Sequence, residues 1–181
     1  MNKFLTLALI AFTFACKSPE ARRPISVKSG SFIDASVERN KKLNAREQAL
    51  IEKFMTQKQE NDYIASESGF WYFYNTKTDI DSLQTPAFGD IVNYDYDVKT
   101  LNGSTIYSFA ELKTRTYTID KEELFTGLRE GLKLMKAGET VTFLFPSQKA
   151  YGYYGDENKI GSNTPLMCKV TLNSITKTKD D

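Results

Sequence analysis

Histidine is missing from all 181 residues, so hydrolytic triads built on imidazole are excluded, and no motif supports a serine–lysine variant. Cysteine is nearly missing as well. Cys16 and Cys168 are the two in the chain, which leaves no ligand set for a zinc site. Neither sign of charge is in excess: 24 basic residues face 23 acidic ones, without the basic footprint of a nucleic-acid binder. Long hydrophobic runs are also lacking. The apolar stretch Phe4–Ala15 holds 12 residues, short of the about 20 that a helix needs to cross a bilayer core. Gly127, Gly131 and Gly138 do not have the spacing of a phosphate-binding loop. Acidic residues are plentiful, yet nothing in their pattern sets two carboxylates in one cleft, as glycoside hydrolysis requires. No repeat or low-complexity tract occurs, and no motif implies a metal or an organic cofactor.

What is present begins with a basic Asn2–Lys3 segment, the apolar run to Ala15, and then Cys16. A buried helix start is one reading. The other is a secretory signal over residues 1–15 that ends as bacterial lipoprotein signals do, with Thr13 where leucine is usual. Cys16 would then be lipidated, its thiol becoming a thioether to diacylglycerol, and two or more acyl chains would hold the protein stably at a membrane. The expected location is the cell envelope, facing the periplasm, at the outer membrane. Removal of residues 1–15 takes Lys3 with it and leaves 23 basic against 23 acidic residues. Cys168 would then lack a partner within the chain. Its neighbours alternate apolar and polar, so it is expected to point inward as a small hydrophobe.

Lys17–Ser31 carries prolines, serines and basic residues without apolar periodicity, and residues 16–35 are read as a tether. Helical pattern follows from about Ser36 to Asp62, and residues 36–66 are read as a helical arm. Asn44 with Glu47 makes a candidate capping box ahead of the stripe Leu50, Ile51, Phe54 and Met55. That stripe either packs on its own domain or pairs two copies into a homodimer.

From Gly69 the pattern becomes β, and residues 67–178 are read as one domain. Strands are expected at Phe70–Tyr74, Asp90–Lys99, Ser104–Phe109, Arg115–Ile119, Glu139–Phe145 and Leu166–Thr176. Asn102-Gly103 signals a hairpin. The helix expected over Glu122–Met135 carries Gly127 and Gly131, each costing roughly 1 kcal/mol against alanine. Such a helix suits close packing across a sheet. The expected fold class is α+β: an antiparallel twisted sheet wrapped on one short helix, preceded by the helical arm.

A reaction without proton transfer remains open to such a chain. Rotation about an X–Pro bond has a barrier of roughly 18–20 kcal/mol from amide resonance. Water on the carbonyl oxygen favours the resonant form, so an apolar, aromatic pocket that strips this water favours the twisted state. Lowering the barrier by about 5 kcal/mol would speed rotation several thousand-fold. Tyrosine, phenylalanine and aliphatic walls with a backbone donor suffice for this.

Gly89–Leu172 resembles the FKBP-type peptidyl-prolyl isomerases through ordered motifs: G-D-I-V-N-Y-D-Y, N-G-S-T-I-Y-S, E-L-F-T-G-L-R-E-G-L-K-L-M-K-A-G-E, A-Y-G-Y-Y-G and L-M-C-K-V-T-L. The resemblance implies a pocket formed by Tyr96, Phe125, Leu128 and Tyr151 as the catalytic set. It implies substrate contacts from Ile106, Tyr107, Glu123, Leu124, Ile160 and Cys168, with the Phe125 amide donating to the bound peptide. Tyr107 stands where the family usually has aspartate, and Cys168 replaces an aromatic. The implied partners are proline-containing polypeptides, with an apolar residue ahead of the proline. Domain, arm and lipid signal together are similar to the gliding-motility-associated isomerase lipoproteins of Bacteroidetes. The resemblance thus implies a lipid-anchored isomerase assisting the folding of exported proteins. The rival reading is a catalytically weak chaperone or assembly module on the same fold, which Tyr107 and Cys168 favour.

Overall fold

The computed structural model describes residues 29–80 and 83–178. The signal read at 1–15 and the lipidation site Cys16 lie outside the described residues. Two compact units divide the chain, Met1–Glu38 and Arg39–Asp181. The first helix, α1, spans Ser29–Gln57, so the unit boundary falls within it. Its start lies inside the stretch read as tether, and its end precedes the expected Asp62. Asn44 is therefore mid-helix, and the capping box expected there does not form. Glu47 is 2% exposed and Ile51 wholly buried, while Phe54 and Met55 are half-buried and Leu50 is exposed. The buried stripe thus runs through Glu47, and Leu50 faces solvent.

Within the second unit, eight strands form one antiparallel sheet. They are β1 (Ile64–Ala65), β2 (Trp71–Thr76), β3 (Ile91–Tyr96), β4 (Val98–Thr100), β5 (Thr105–Tyr107), β6 (Arg115–Thr118), β7 (Thr140–Phe145) and β8 (Leu166–Thr176). The order is β1-β2-β7-β8-β3-β6, with β4 pairing both β5 and β8. The two-residue period buries Val92, Tyr94 and Tyr96 on β3 against Leu166, Cys168, Val170 and Leu172 on β8. Cys168 points inward as expected, opposite Phe143.

Most expected strands form, with differences of a few residues at their ends. The single strand expected over Asp90–Lys99 is split at Asp97, whose Oδ1 accepts the Lys169 N–H at 3.1 Å. A side chain there takes the place of a ladder carbonyl. The Asn102-Gly103 turn joins β4 to β5, with the Gly103 N–H donating to Thr100 O at 2.9 Å. Beyond β5 the expected strand stops, because Ser108 caps a short helix, α2 (Phe109–Leu112), by accepting from the Glu111 N–H.

The helix across the sheet, α3, spans Thr126–Leu132 and is shorter than expected, since the chain enters it at Phe125 in an extended conformation. It buries Gly127, Leu128, Gly131 and Leu132. A Cβ at Gly127 would lie 2.5 Å from the Phe145 ring, and one at Gly131 would lie 2.9 Å from the Phe143 ring. The two glycines let the helix backbone touch the β7 aromatics, whose rings stack at 5.4 Å. Leu144 on the opposite face of β7 is also wholly buried, so both sides of this strand are covered.

Candidate functional site

Three segments build the site: β3 with β5, the approach to α3, and the loop after β7. Phe125 ends the extended approach and caps α3, which turns its ring toward the loop residue Tyr151, with centroids 5.2 Å apart. Phe145 at the end of β7 meets Phe125 edge-on at 5.5 Å and braces it from the core side. Phe125 and Tyr151, with Glu122, Glu123, Leu124 and Arg129, line a surface cavity of about 560 Å³. No hydrogen-bond partner meets the Phe125 N–H among the described residues.

The expected site residues occupy two depths. Glu123, Leu124, Phe125 and Tyr151 are on the cavity wall. Tyr96, Leu128, Ile160 and Cys168 belong to the buried core, against which Ile106, Tyr107, Leu124, Phe125 and Tyr151 are packed. Leu128 and Cys168 are wholly buried. The Tyr96 and Tyr151 phenols lie within electrostatic reach of one another, and Cys168 is near both.

Burial pushes the Tyr151 phenol far up from its ordinary value, with the Tyr96 and Cys168 neighbours adding to the shift. Burial likewise pushes up Tyr96 and the Cys168 thiol. All three therefore stay neutral at physiological pH. Tyr151 can donate a phenolic hydrogen bond, and these three groups supply no acid–base pair near pH 7. No cluster of three or more potential metal ligands occurs among the described residues.

Tyr107 has a partner that the sequence pattern did not indicate. Its hydroxyl donates to Asp156, five residues after Tyr151 in the chain. The other Asp156 oxygen accepts from the Ile160 N–H at 2.7 Å and the Asn158 N–H at 3.0 Å. Lys159 Nζ lies 4.8 Å above the Tyr107 ring and pairs with Glu111. Burial alone would raise the Asp156 carboxyl, but these hydrogen bonds outweigh it and hold the group below its usual range. An acid is thus supplied to Tyr107 from the loop. A tyrosine where an acid was expected was the available signal. Arg129 and Glu122 on the cavity wall were also not expected. Arg129 Nε lies 3.5 Å from Asp120 and 3.4 Å from Glu130, so its charge is offset at the rim.

The sequence pattern described as FKBP-type peptidyl-prolyl cis-trans isomerase matches residues 83–173. The chain belongs to this family. All of the candidate site residues above lie within the FKBP region. A probable FKBP-type peptidyl-prolyl cis-trans isomerase, FkpA, of Neisseria meningitidis serogroup B is 32% identical over 90 residues, 50% of this chain and 33% of that relative. The outer membrane protein MIP of Legionella longbeachae is 30% identical over 92 residues, 51% of this chain and 39% of that protein. The matched segments thus span well under two thirds of either relative. Among solved structures, FkpA from Escherichia coli superposes with a TM-score of 0.61 at 22% identity, over 99% of this chain and 84% of that one. A peptidyl-prolyl isomerase from Pseudomonas syringae pv. tomato gives 0.60 at 18% identity, over 76% of this chain and 96% of that one. These likenesses establish the FKBP fold. No described helix is long and apolar enough to cross a membrane.

Proposed function

We propose that the chain is a peptidyl-prolyl cis-trans isomerase that binds an apolar-residue–proline segment against Phe125 and Tyr151. The observation that carries this reading is the pairing of these two rings at the wall of one cavity, above an apolar core. The phenol of Tyr151 and the N–H of Phe125 serve as donors to the bound peptide. Tyr96 and Leu128 back the wall from the core. Rotation is accelerated because the imide carbonyl leaves water, which removes the stabilisation of its resonant, planar form.

The finer assignments rest on sequence. Cys16 is proposed as a lipidated residue anchoring the protein in the envelope, facing the periplasm at the outer membrane. Exported proteins are the proposed clients, a gliding-motility apparatus being the destination that the Bacteroidetes resemblance implies. Pairing of two copies is proposed along the helical arm through the stripe of Leu50, Phe54 and Met55, of which Leu50 is exposed and the other two half-buried.

The test of the main reading is NMR exchange on a short proline peptide, with refolding of a proline-limited protein as a second substrate. Phe125→Ala combined with Tyr151→Ala is expected to reduce exchange to the uncatalysed rate while the circular dichroism of the fold persists. Retention of the full rate in that double variant removes the assignment. A binding module with weak catalysis is the second reading, favoured by the complete burial of Leu128 and Cys168 away from the cavity wall. It predicts peptide binding with exchange close to the uncatalysed rate in the wild-type chain.

A further inference from the structure

Glu47 is 2% exposed, and so is Ser147, its partner from the turn that follows β7. One Glu47 oxygen accepts the Ser147 N–H at 2.7 Å, and the other accepts the Ser147 Oγ at 2.7 Å. Among the described residues no cation is paired with this carboxylate. A buried acid is costly unless its oxygens are well bonded, and a leucine at this helix position would avoid that cost. Packing of α1 alone therefore does not account for an acid here.

The residue that Glu47 grips is the hub of the loop carrying Tyr151. The Ser147 carbonyl accepts the Ala150 N–H at 2.9 Å and the Gly152 N–H at 2.8 Å. Those two residues flank Tyr151 on either side. The turn also lies against α3, since the Lys149 carbonyl would be 2.7 Å from a Cβ at Gly127. A continuous set of short bonds thus runs from α1, which precedes the FKBP region at residues 83–173, through Ser147 to the backbone on both sides of Tyr151.

We propose that Glu47 is a positioning residue: through Ser147 it fixes the backbone flanking Tyr151, so that α1 sets the geometry of the peptide-binding wall. Its consequence for turnover rests on the isomerase reading above. Loss of the grip lets the Tyr151 loop sample other conformations, and peptide affinity falls in proportion to the competent fraction. The chemistry once peptide is bound is left intact.

The experiment uses the full chain with Glu47→Leu, Glu47→Gln, Ser147→Ala and the Glu47→Leu/Ser147→Ala pair. For Glu47→Leu, KM for a short proline peptide is expected to rise about tenfold, with kcat within about twofold of wild type. Amide hydrogen exchange is expected to quicken at Ala150 and Gly152 while β8 amides stay protected. Glu47→Gln and Ser147→Ala, each keeping part of the contact, are expected to give smaller rises. The pair is expected to match Glu47→Leu rather than add to it. A lowered melting temperature with KM and loop exchange unchanged would reduce Glu47 to packing and overturn the proposal, as would a loss confined to kcat. Should Glu47→Leu not fold, Ser147→Ala decides: unchanged KM and loop exchange there overturn the proposal, and a rise in both supports it. Should the wild-type chain not accelerate peptide exchange, the isomerase reading falls, and loop exchange at Ala150 and Gly152 then decides the positioning role alone. Faster exchange in Glu47→Leu supports it, and unchanged exchange overturns it.

Discussion

Asp156 holds its loop from the inside, accepting two backbone N–H groups with one oxygen and the Tyr107 phenol with the other. Tyr107→Phe removes the phenolic donor and leaves the ring under Lys159. The variant is expected to lose about 1 kcal/mol of stability at neutral pH, the scale of a hydrogen bond to a charged group at a part-exposed site. The Asp156 carboxyl is expected to move back up toward its ordinary value, read by carbon NMR titration. Because the folded group sits below that value, its contribution is present above the ordinary carboxylate pKa and fades as pH falls through the folded one. The penalty of Tyr107→Phe should therefore shrink in acid. An unshifted Asp156 titration would show that the phenol does not hold the carboxylate.

At the level of elements, α3 is decided by close approach rather than by helix propensity. Glycine to alanine in a helix ordinarily gains roughly 1 kcal/mol. Here the added methyl would lie 2.5 Å from Phe145 and 2.7 Å from the Lys149 carbonyl at position 127, but only against the Phe143 ring, at 2.9 Å, at position 131. A backbone oxygen cannot turn aside as a ring edge can. Both substitutions are expected to destabilise, Gly127→Ala by about 2–3 kcal/mol and Gly131→Ala by less, measured as urea midpoints. Stabilisation by either would mean that α3 rides higher on β7 than described. Gly127→Ala also presses on the Ser147–Lys149 turn, so peptide affinity should fall with it.

For the whole molecule, the buried carboxylate of Asp90 ties down the segment that follows β8. It accepts from the Ala87 N–H at 2.7 Å, the Thr178 N–H at 3.2 Å and Lys177 Nζ at 2.8 Å. Burial alone would raise this carboxyl; the Lys177 bond and the two N–H donors more than offset that and lower it. Its stabilisation is complete above the ordinary carboxylate pKa, near 3.8, and is lost as pH falls below it. With Asp156 lowered in the same sense, urea midpoints should fall on acidification through this window. Asp90→Asn should be less stable at neutral pH and show a shallower fall, and an identical pH profile would remove Asp90 from the acid transition. The complete absence of histidine predicts no comparable step between pH 5 and 8.

Local pattern carried much of this fold. The alternation of Val92, Tyr94 and Tyr96, the Asn102-Gly103 turn and the bounds of β8 need only a two-residue period and turn chemistry to be read. The paired glycines announced a helix pressed on a sheet. Capping logic failed at Asn44, because the helix already runs from Ser29 and leaves no free N–H groups there to cap. Glu47 instead reaches a serine 100 positions away. Distance along the chain hid Asp156 from Tyr107 in the same way, and it hid the division of the aromatics into wall and core. Sequence by itself determined that this is a histidine-free α+β chain, since strand period, turns and composition are local properties, and its ordered motifs carried the FKBP resemblance. Only the tertiary structure decided that Phe125 and Tyr151 share a cavity while Leu128 and Cys168 are wholly buried behind its lining, and that α1 bonds the turn ahead of Tyr151, since burial and bonding depend on which distant strands and turns are folded together.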